Sequence, residues 1–232
     1  WDMFRQTGTS HLLAISGLHI TLVAALVFAA VRQLLFALTS GRHSALVIKG
    51  ALVASLLSAF FYAALANFAL PAQRAVVMVC VSVIALLYQR LVLSYRTLLL
   101  AALAVLLLDP KSLLSVGFWL SFGAVGILVL MRSIRSNDGW LSTSIRTHCF
   151  LSIGLLPIAG FISDTVPLSA PLANLFAVPI FSLLVVPLVL IGTLCAGVGL
   201  NVYSYFWQLA AIVYEQVWRL LKTFAAWDPQ LS

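Results

Sequence analysis

Charged side chains are scarce in this 232-residue chain. Asp, Glu, Lys and Arg make up 8% of the residues, whereas 63% are hydrophobic, and the mean hydropathy is +1.12. A soluble domain carries about 25% charged residues, so this composition excludes a water-exposed globular fold. The long apolar runs predict helices, because backbone N–H and C=O groups left unpaired in lipid are too costly. They show no alternation with a period of two, which argues against an outer-membrane barrel.

Cysteine and acidic residues are also few. Cys80, Cys149 and Cys195 stand singly in apolar segments, without CxxC or metal-ligand spacing, and are predicted to be buried free thiols. Since 13 Lys and Arg face 6 Asp and Glu, the net charge is +7. Most of this excess is expected in cytoplasmic loops, and the rest is consistent with attraction for a polyanion. The chain starts without Met or a signal peptide, so it is expected to be a fragment of a longer protein.

Loop and proline signals divide the chain into apolar segments. Pro179 and Pro187 are expected to bend the seventh segment, and Pro167 and Pro171 predict a re-entrant or interfacial loop near 163–174. We therefore predict an all-α membrane protein, a polytopic bundle of about seven to eight transmembrane segments with proline-broken helices, in one domain over 1–232. The segments are 11–37, 45–66, 71–88, 95–108, 112–131, 147–162, 174–198 and 202–222.

Lys and Arg accumulate in alternate links between these segments. The first link holds Arg42, the third holds Arg90 and Arg96, and the fifth, the clearly soluble loop 132–146, holds three arginines. The positive-inside rule assigns these links to the cytoplasm and both chain ends to the outer side.

The stretch 8–19 places polar groups at the start of the first apolar segment. His11 and His19 share one broad face of a helix, and Gly17 allows another backbone to approach closely. Polar and ionisable groups inside a membrane normally face protein or a wet cavity. The alternative is that His11 snorkels at a helix end and His19 is packed and hydrogen-bonded. A metal pair is a weak interpretation, because zinc-binding histidines on a helix usually stand four apart.

Four stretches along the chain share the pattern of one known family. They are SHLLAISGLHITL at 10–22, LPAQRAVVM at 70–78, DPKSLLSVGFWLSFGAVGIL at 109–128 and LLPIAGFISDTVPLSAPLANLFAVPI at 155–180. In this order they resemble the competence domain of the ComEC-type DNA-internalisation channel, and the resemblance covers nearly the whole chain. Trp119 departs from the pattern, which has Gln there.

The resemblance implies a transmembrane channel that passes single-stranded DNA across the bacterial inner membrane during natural transformation. The implied partners are single-stranded DNA, the lipid bilayer, the other domains of the parent protein, a periplasmic DNA receptor and a cytoplasmic motor; the oligomeric state is left open. The OB-type and metallo-β-lactamase-like domains of whole family members have no counterpart here, so no enzyme activity, metal or cofactor is expected. The alternatives are a secondary transporter of a small solute and an intramembrane metal-dependent enzyme using His11 and His19.

Arg74 is the best candidate for a phosphate contact. It falls near the start of the helix that Pro71 begins, and its charge persists at any ordinary pH. The guanidinium fork matches phosphate oxygens, and a helix N-terminus adds favourable partial charge. The alternative is that Arg74 pairs with Asp164 or with helix-end carbonyls and holds the domain together.

Other polar side chains are candidates for lining the DNA path. For the serines a hydrogen bond within the helix is the alternative, and for the two asparagines it is capping of an adjacent helix start. Phe118, Trp119 and Phe122 could stack on bases, although core or lipid-facing positions are commoner for such residues. The complete set of candidates is His11, Ser16, His19, Asn67, Arg74, Ser121, Asp164, Ser169 and Asn174.

Overall fold

The computed structural model of the chain describes residues 17–39, 44–133, 139–160 and 170–227. These residues are almost entirely helical and include no strand, which confirms the predicted all-α class. The α-helices are α1 (Gly17–Leu38), α2 (Ser44–Leu65), α3 (Leu70–Leu87), α4 (Tyr95–Leu108), α5 (Val116–Ser133), α6 (Trp140–Gly160), α7 (Ala170–Ile180), α8 (Val186–Gly197) and α9 (Tyr203–Trp227). A 3₁₀ helix, Pro110–Leu114, precedes α5, and a π-helical turn, Phe181–Val185, joins α7 to α8.

Several of these helices match the thickness of a bilayer. In the described part of the chain, α1, α2, α3 and the continuous helical stretch 173–197 are long and apolar enough to cross a membrane. The helix α4 and most of α5 are apolar but shorter. These helices and the composition define a helical membrane protein, whereas the number of spans stays a prediction.

The first of two compact units contains α1 to α5. Here α1 packs along α2, and α3 packs against both. Their shared core is built largely from small side chains, among them Ala51, Ala59 and Ala63 of α2 and Ala72 and Ala75 of α3. Small residues let helix backbones approach closely in a membrane, which suits the close packing of α1, α2 and α3.

A tight turn connects α2 to α3. The Phe68 N–H donates to the Ala63 carbonyl at 2.8 Å and the Asn67 N–H donates to the Ala64 carbonyl at 2.9 Å, which is a Schellman motif. Asn67 and Phe68 have left-handed φ angles of 50° and 46°. Asn tolerates this conformation better than most residues, and the Phe68 ring packs 5.3 Å from the Phe60 ring. The turn therefore fixes the point at which α3 begins.

The described part of the second unit contains α6 to α9. The predicted bend of the seventh segment takes the form of the π-helical turn, with Pro179 before it and Pro187 after it. Proline has no N–H to donate to the carbonyl four residues before it. A π-helical turn is wider than an α-helical one and lets the helix continue where that hydrogen bond is missing. Val217 and Leu221 of α9 pack against this region and are almost completely buried.

Four predicted boundaries are wrong, and one is the end of the eighth segment, predicted at 222 although α9 continues to Trp227. Residues 140–146, predicted to be a loop, form the first two turns of α6. Residues 170–174, predicted to be in the re-entrant loop, begin α7; Pro171 stands near the helix start, where its missing N–H removes no hydrogen bond. Residues 112–114 are 3₁₀ rather than α-helical. The remainder of the predicted loop, 163–169, lies outside the described residues.

The cysteines are free, as predicted, but they are less buried than predicted. Cys80 and Cys195 are partly buried and Cys149 is exposed. An exposed thiol on an apolar helix is consistent with contact to lipid, because Cys behaves as a small hydrophobic residue.

Candidate anion site at the start of the third helix

Arg74 is buried in the first unit. Its side chain is only 5% exposed, and it is the fifth residue of α3. Its Nε atom has no hydrogen-bond partner among the described residues. Burying a cation without a partner is strongly unfavourable, so an anion at this position would stabilise the arrangement.

Acidic side chains are almost absent from this unit. Asp109 is the only Asp or Glu between residues 15 and 137. Its carboxylate accepts hydrogen bonds from the Lys111 N–H at 3.1 Å and from the Ser112 hydroxyl at 2.8 Å. The carboxylate predicted as the alternative partner of Arg74, Asp164, lies outside the described residues, so that pairing stays a prediction.

Gly117 provides the space that the Arg74 guanidinium occupies. A Cβ atom added to Gly117 would lie 2.7 Å from Arg74 Nη2 and 3.5 Å from Arg74 Cζ. Contacts that short do not occur, so the guanidinium packs directly on the backbone of α5. One turn later, the Ser121 hydroxyl donates to the Gly117 carbonyl at 2.7 Å, which confirms the hydrogen bond within the helix that was the alternative for this serine.

Gly17 brings α1 against the same end of α3. A Cβ atom added to Gly17 would lie 3.2 Å from the Ala75 Cβ and 3.5 Å from the Pro71 carbonyl oxygen. The close backbone approach predicted for Gly17 is therefore confirmed. Two residues later, His19 is 3% exposed, as the packed alternative predicted, and its role in lining a path stays a prediction.

The N-terminus of α3 adds positive potential at the same place. Its N-cap residue is Ala69, which has no side-chain cap hydrogen bond; the Ala72 and Gln73 N–H groups donate to the Ala69 carbonyl at 2.8 Å and 3.0 Å, and Pro71 has no N–H. The predicted capping of α3 by Asn67 is wrong, because Asn67 ends α2 instead. The partial positive charge of a helix start and a buried guanidinium both favour an oxyanion such as phosphate.

The remaining candidates do not all join this site. Asn67 is exposed on the turn. Asn174 belongs to the other unit and lies inside α7 rather than before it, so its predicted capping role is wrong. Its Oδ1 is buried and has no hydrogen-bond partner among the described residues. The candidates that lie outside the described residues are His11, Ser16, Asp164 and Ser169.

The aromatic residues of α5 divide into two groups. Phe118 and Phe122 are buried, with ring centroids 4.6 Å apart, and they pack in a core with Ala101 and Val105. This confirms the core interpretation for both. Trp119 is 52% exposed, and its Nε1 donates to the Leu113 carbonyl at 3.0 Å, so it points away from that core.

Helices long and apolar enough to span a membrane define the class of this molecule, a polytopic helical membrane protein, and one of its helical units buries an arginine. The family model described as "Competence protein" matches residues 1–231, and the chain belongs to this family.

Its curated relatives carry related names. The chain is 36% identical over 232 residues to Competence protein ComA of Neisseria gonorrhoeae, covering 100% of this chain and 32% of that protein. It is 34% identical over 241 residues to Recombination protein 2 of Haemophilus influenzae, covering 97% of this chain and 29% of that protein. The chain therefore spans about a third of the length of these relatives. No solved structure matches the chain.

Proposed function

We propose that this chain forms the membrane path of a channel that passes single-stranded DNA across the bacterial inner membrane during natural transformation. Membership of the competence family and the similarity to a protein named for competence support a role in DNA uptake. The apolar helices support a position in the membrane. The burial of Arg74 without a described hydrogen-bond partner at Nε is the single observation that supports transport of an anion.

In this proposal Arg74 contacts the phosphates of the moving strand. A DNA strand brings one negative charge per nucleotide, and phosphate in a low-dielectric region needs a cation, N–H groups or water. The guanidinium supplies the cation, and the helix start beside it adds a partial positive charge. Since Arg74 is held over Gly117 rather than by a described carboxylate, its charge is available to a ligand.

The surroundings of the channel follow from the same proposal. We propose that the chain lies in the inner membrane with both ends outside, and that a periplasmic DNA receptor delivers the strand while a cytoplasmic motor draws it through. We also propose that this chain itself catalyses no reaction. The alternative of an enzyme using His11 and His19 stays a prediction, because His11 lies outside the described residues.

Uptake of a labelled strand by cells carrying Arg74→Lys or Arg74→Gln tests the proposal. Losing a hydrogen bond to a charged group typically costs about 1.5 to 3 kcal/mol. We therefore expect the Arg74→Gln variant to take up roughly tenfold to a hundredfold less DNA, and the Arg74→Lys variant to retain part of the native uptake. Arg32→Gln on α1 is the matched control, because Arg32 is exposed. Normal uptake by an inserted Arg74→Gln protein would exclude Arg74 from the path.

A further inference from the structure

A groove of about 520 Å³ opens among the helices of the first unit. All five helices and the loop between α3 and α4 contribute to its lining. Its size falls within the range of about 300 to 1,000 Å³ that is typical of ligand pockets. Representative lining residues are Phe28, Met78, Leu86, Leu93, Leu98 and Val125.

The lining suits an apolar chain and not a strand of DNA. None of the described lining residues is ionisable; the polar ones are Thr21, Ser55, Ser82 and Thr97. The Thr97 hydroxyl already donates to the Leu91 carbonyl at 2.8 Å. A phosphate group inside the groove would lack a cation, whereas a hydrocarbon chain would find contacts on all sides. Because the groove lies among membrane helices, the apolar chain available to enter it is a lipid acyl chain.

Basic residues surround one end of the groove. Val92 and Leu93 of the α3–α4 loop line that end, and Arg132 Nη1 donates to the Leu93 carbonyl at 2.9 Å. Arg90 lies in this loop and Arg96 in the first turn of α4, and both are exposed. The stretch 86–98 contains no acidic residue, so the positive charge there is not neutralised locally.

The loop that carries these arginines is well held. The Arg90 N–H donates to the Ala85 carbonyl at 2.7 Å, where α3 ends. At the other side, the Thr97 N–H donates to the Ser94 hydroxyl at 3.2 Å, which caps α4. The backbone that carries Arg90 and Arg96 is therefore held next to Val92 and Leu93, which line the groove.

We propose that this groove binds an anionic phospholipid, with an acyl chain among α1 to α5 and the phosphate headgroup at Arg90 and Arg96. The charge distribution places this loop on the cytoplasmic side, and basic pockets between transmembrane helices on that side bind acidic headgroups. The site is separate from Arg74, which is not among its lining residues, and it does not depend on passage of DNA.

Lipid retention by the native protein tests this proposal. The protein is purified from membranes, exposed to phosphatidylglycerol or phosphatidylcholine, and examined by native mass spectrometry and by its thermal unfolding temperature. We expect phosphatidylglycerol to be retained and to raise the unfolding temperature more than phosphatidylcholine does. The variant Arg90→Gln/Arg96→Gln keeps Arg132 as the anchor of the loop. It should bind phosphatidylglycerol at least about tenfold more weakly, because each basic residue near a membrane surface contributes a similar share of the attraction to an anionic headgroup.

A second variant tests the groove itself. Ala25 lines the groove and is exposed, so Ala25→Phe fills space without displacing a buried side chain, and it should also lose the lipid. Arg32→Gln should retain the lipid, because Arg32 is exposed on α1 and does not line the groove. Equal retention of both lipids by the native protein, or undiminished retention by the two test variants, would overturn the proposal. So would competition by a short oligonucleotide, which would assign the arginines to DNA.

Discussion

The position of Arg74 depends on a single glycine. No side chain larger than hydrogen fits at Gly117 without moving the guanidinium, because the added Cβ would lie 2.7 Å from Nη2. Among the described residues Arg74 Nε has no hydrogen-bond partner, and the guanidinium is positioned by packing on Gly117. In the proposed channel, a cation held by packing suits a residue that binds and releases each phosphate in turn.

We predict that Gly117→Ala lowers DNA uptake while leaving the protein in the membrane. Ala favours a helix by up to about 1 kcal/mol over Gly, so the loss would not come from a weakened α5. Gly126→Ala on the same helix is the matched control, since its added Cβ would lie an ordinary 3.7 Å from the Leu98 side chain. Transformation frequency and the amount of membrane-inserted protein are the measurements. Full uptake by Gly117→Ala would show that the guanidinium need not lie over α5.

Part of this site could be predicted from the residues alone. Arg74 beside Pro71 in apolar sequence pointed to a buried cation near a helix start, and Gly17 pointed to close helix packing. The role of Gly117 could not be predicted, because which side chain approaches a glycine depends on tertiary packing. Its signal was limited to the glycines of the fifth segment, which suit close interhelical contact.

At the scale of elements, two helices end on left-handed residues that are not glycine. Asn67 follows α2 with a φ of 50°, and Gln89 follows α3 with a φ of 55°. Both N–H groups bond back to carbonyls of their own helix, at 2.9 Å and 3.0 Å. This conformation favours glycine, so each turn stores a small backbone cost that sets the direction of the next helix.

We predict that Asn67→Val lowers the free energy of unfolding by about 1 to 2 kcal/mol, because a β-branched residue resists the left-handed conformation. Asn67→Gly should keep or raise stability, and Gln89→Gly should raise it by up to about 1 kcal/mol. Thermal unfolding in detergent measures both. A stable Asn67→Gly protein with reduced DNA uptake would support a path-lining role for the Asn67 side chain. Destabilisation by both glycine variants would contradict the turn geometry.

The ends of some helices could not be predicted from the sequence pattern. The apolar segments placed α2, α3 and α4 within a few residues, because length and hydropathy decide membrane helices. Polar residues at 140–146 predicted a loop, yet they extend α6, since a helix can leave the apolar region without ending. Pro171 predicted a break and instead stands in the first turn of a helix, where its missing N–H removes no hydrogen bond.

At the scale of the whole molecule, charge is distributed unevenly along the chain. Arg90 lies in the link between α3 and α4 and Arg96 in the first turn of α4, whereas the turn between α2 and α3 has no arginine. Under the positive-inside rule the first of these links is cytoplasmic and the second lies outside. In the proposed orientation, the Arg74 end of α3 faces the side from which the strand is proposed to enter.

Cysteine labelling provides a direct test of the orientation. In a protein with Cys80, Cys149 and Cys195 replaced, a single cysteine at Asn67 should react with a membrane-impermeant maleimide added outside intact cells. A single cysteine at Tyr88, which is 75% exposed, should react only after the membrane is opened. The reverse pattern would invert the map and place Arg74 at the cytoplasmic end.

The central claim is that the transported strand passes Arg74. It is tested most directly by placing a photo-crosslinking amino acid at Ser121, one turn from Gly117, and holding a labelled strand in transit with a bulky end group. The same group at the exposed Trp119, on another side of the same helix, is the control. We predict crosslinks to the strand from position 121 and not from position 119, and loss of them when Arg74 is also replaced by Gln. Equal crosslinking at both positions, or none at 121 while the strand is held in the channel, would contradict the account.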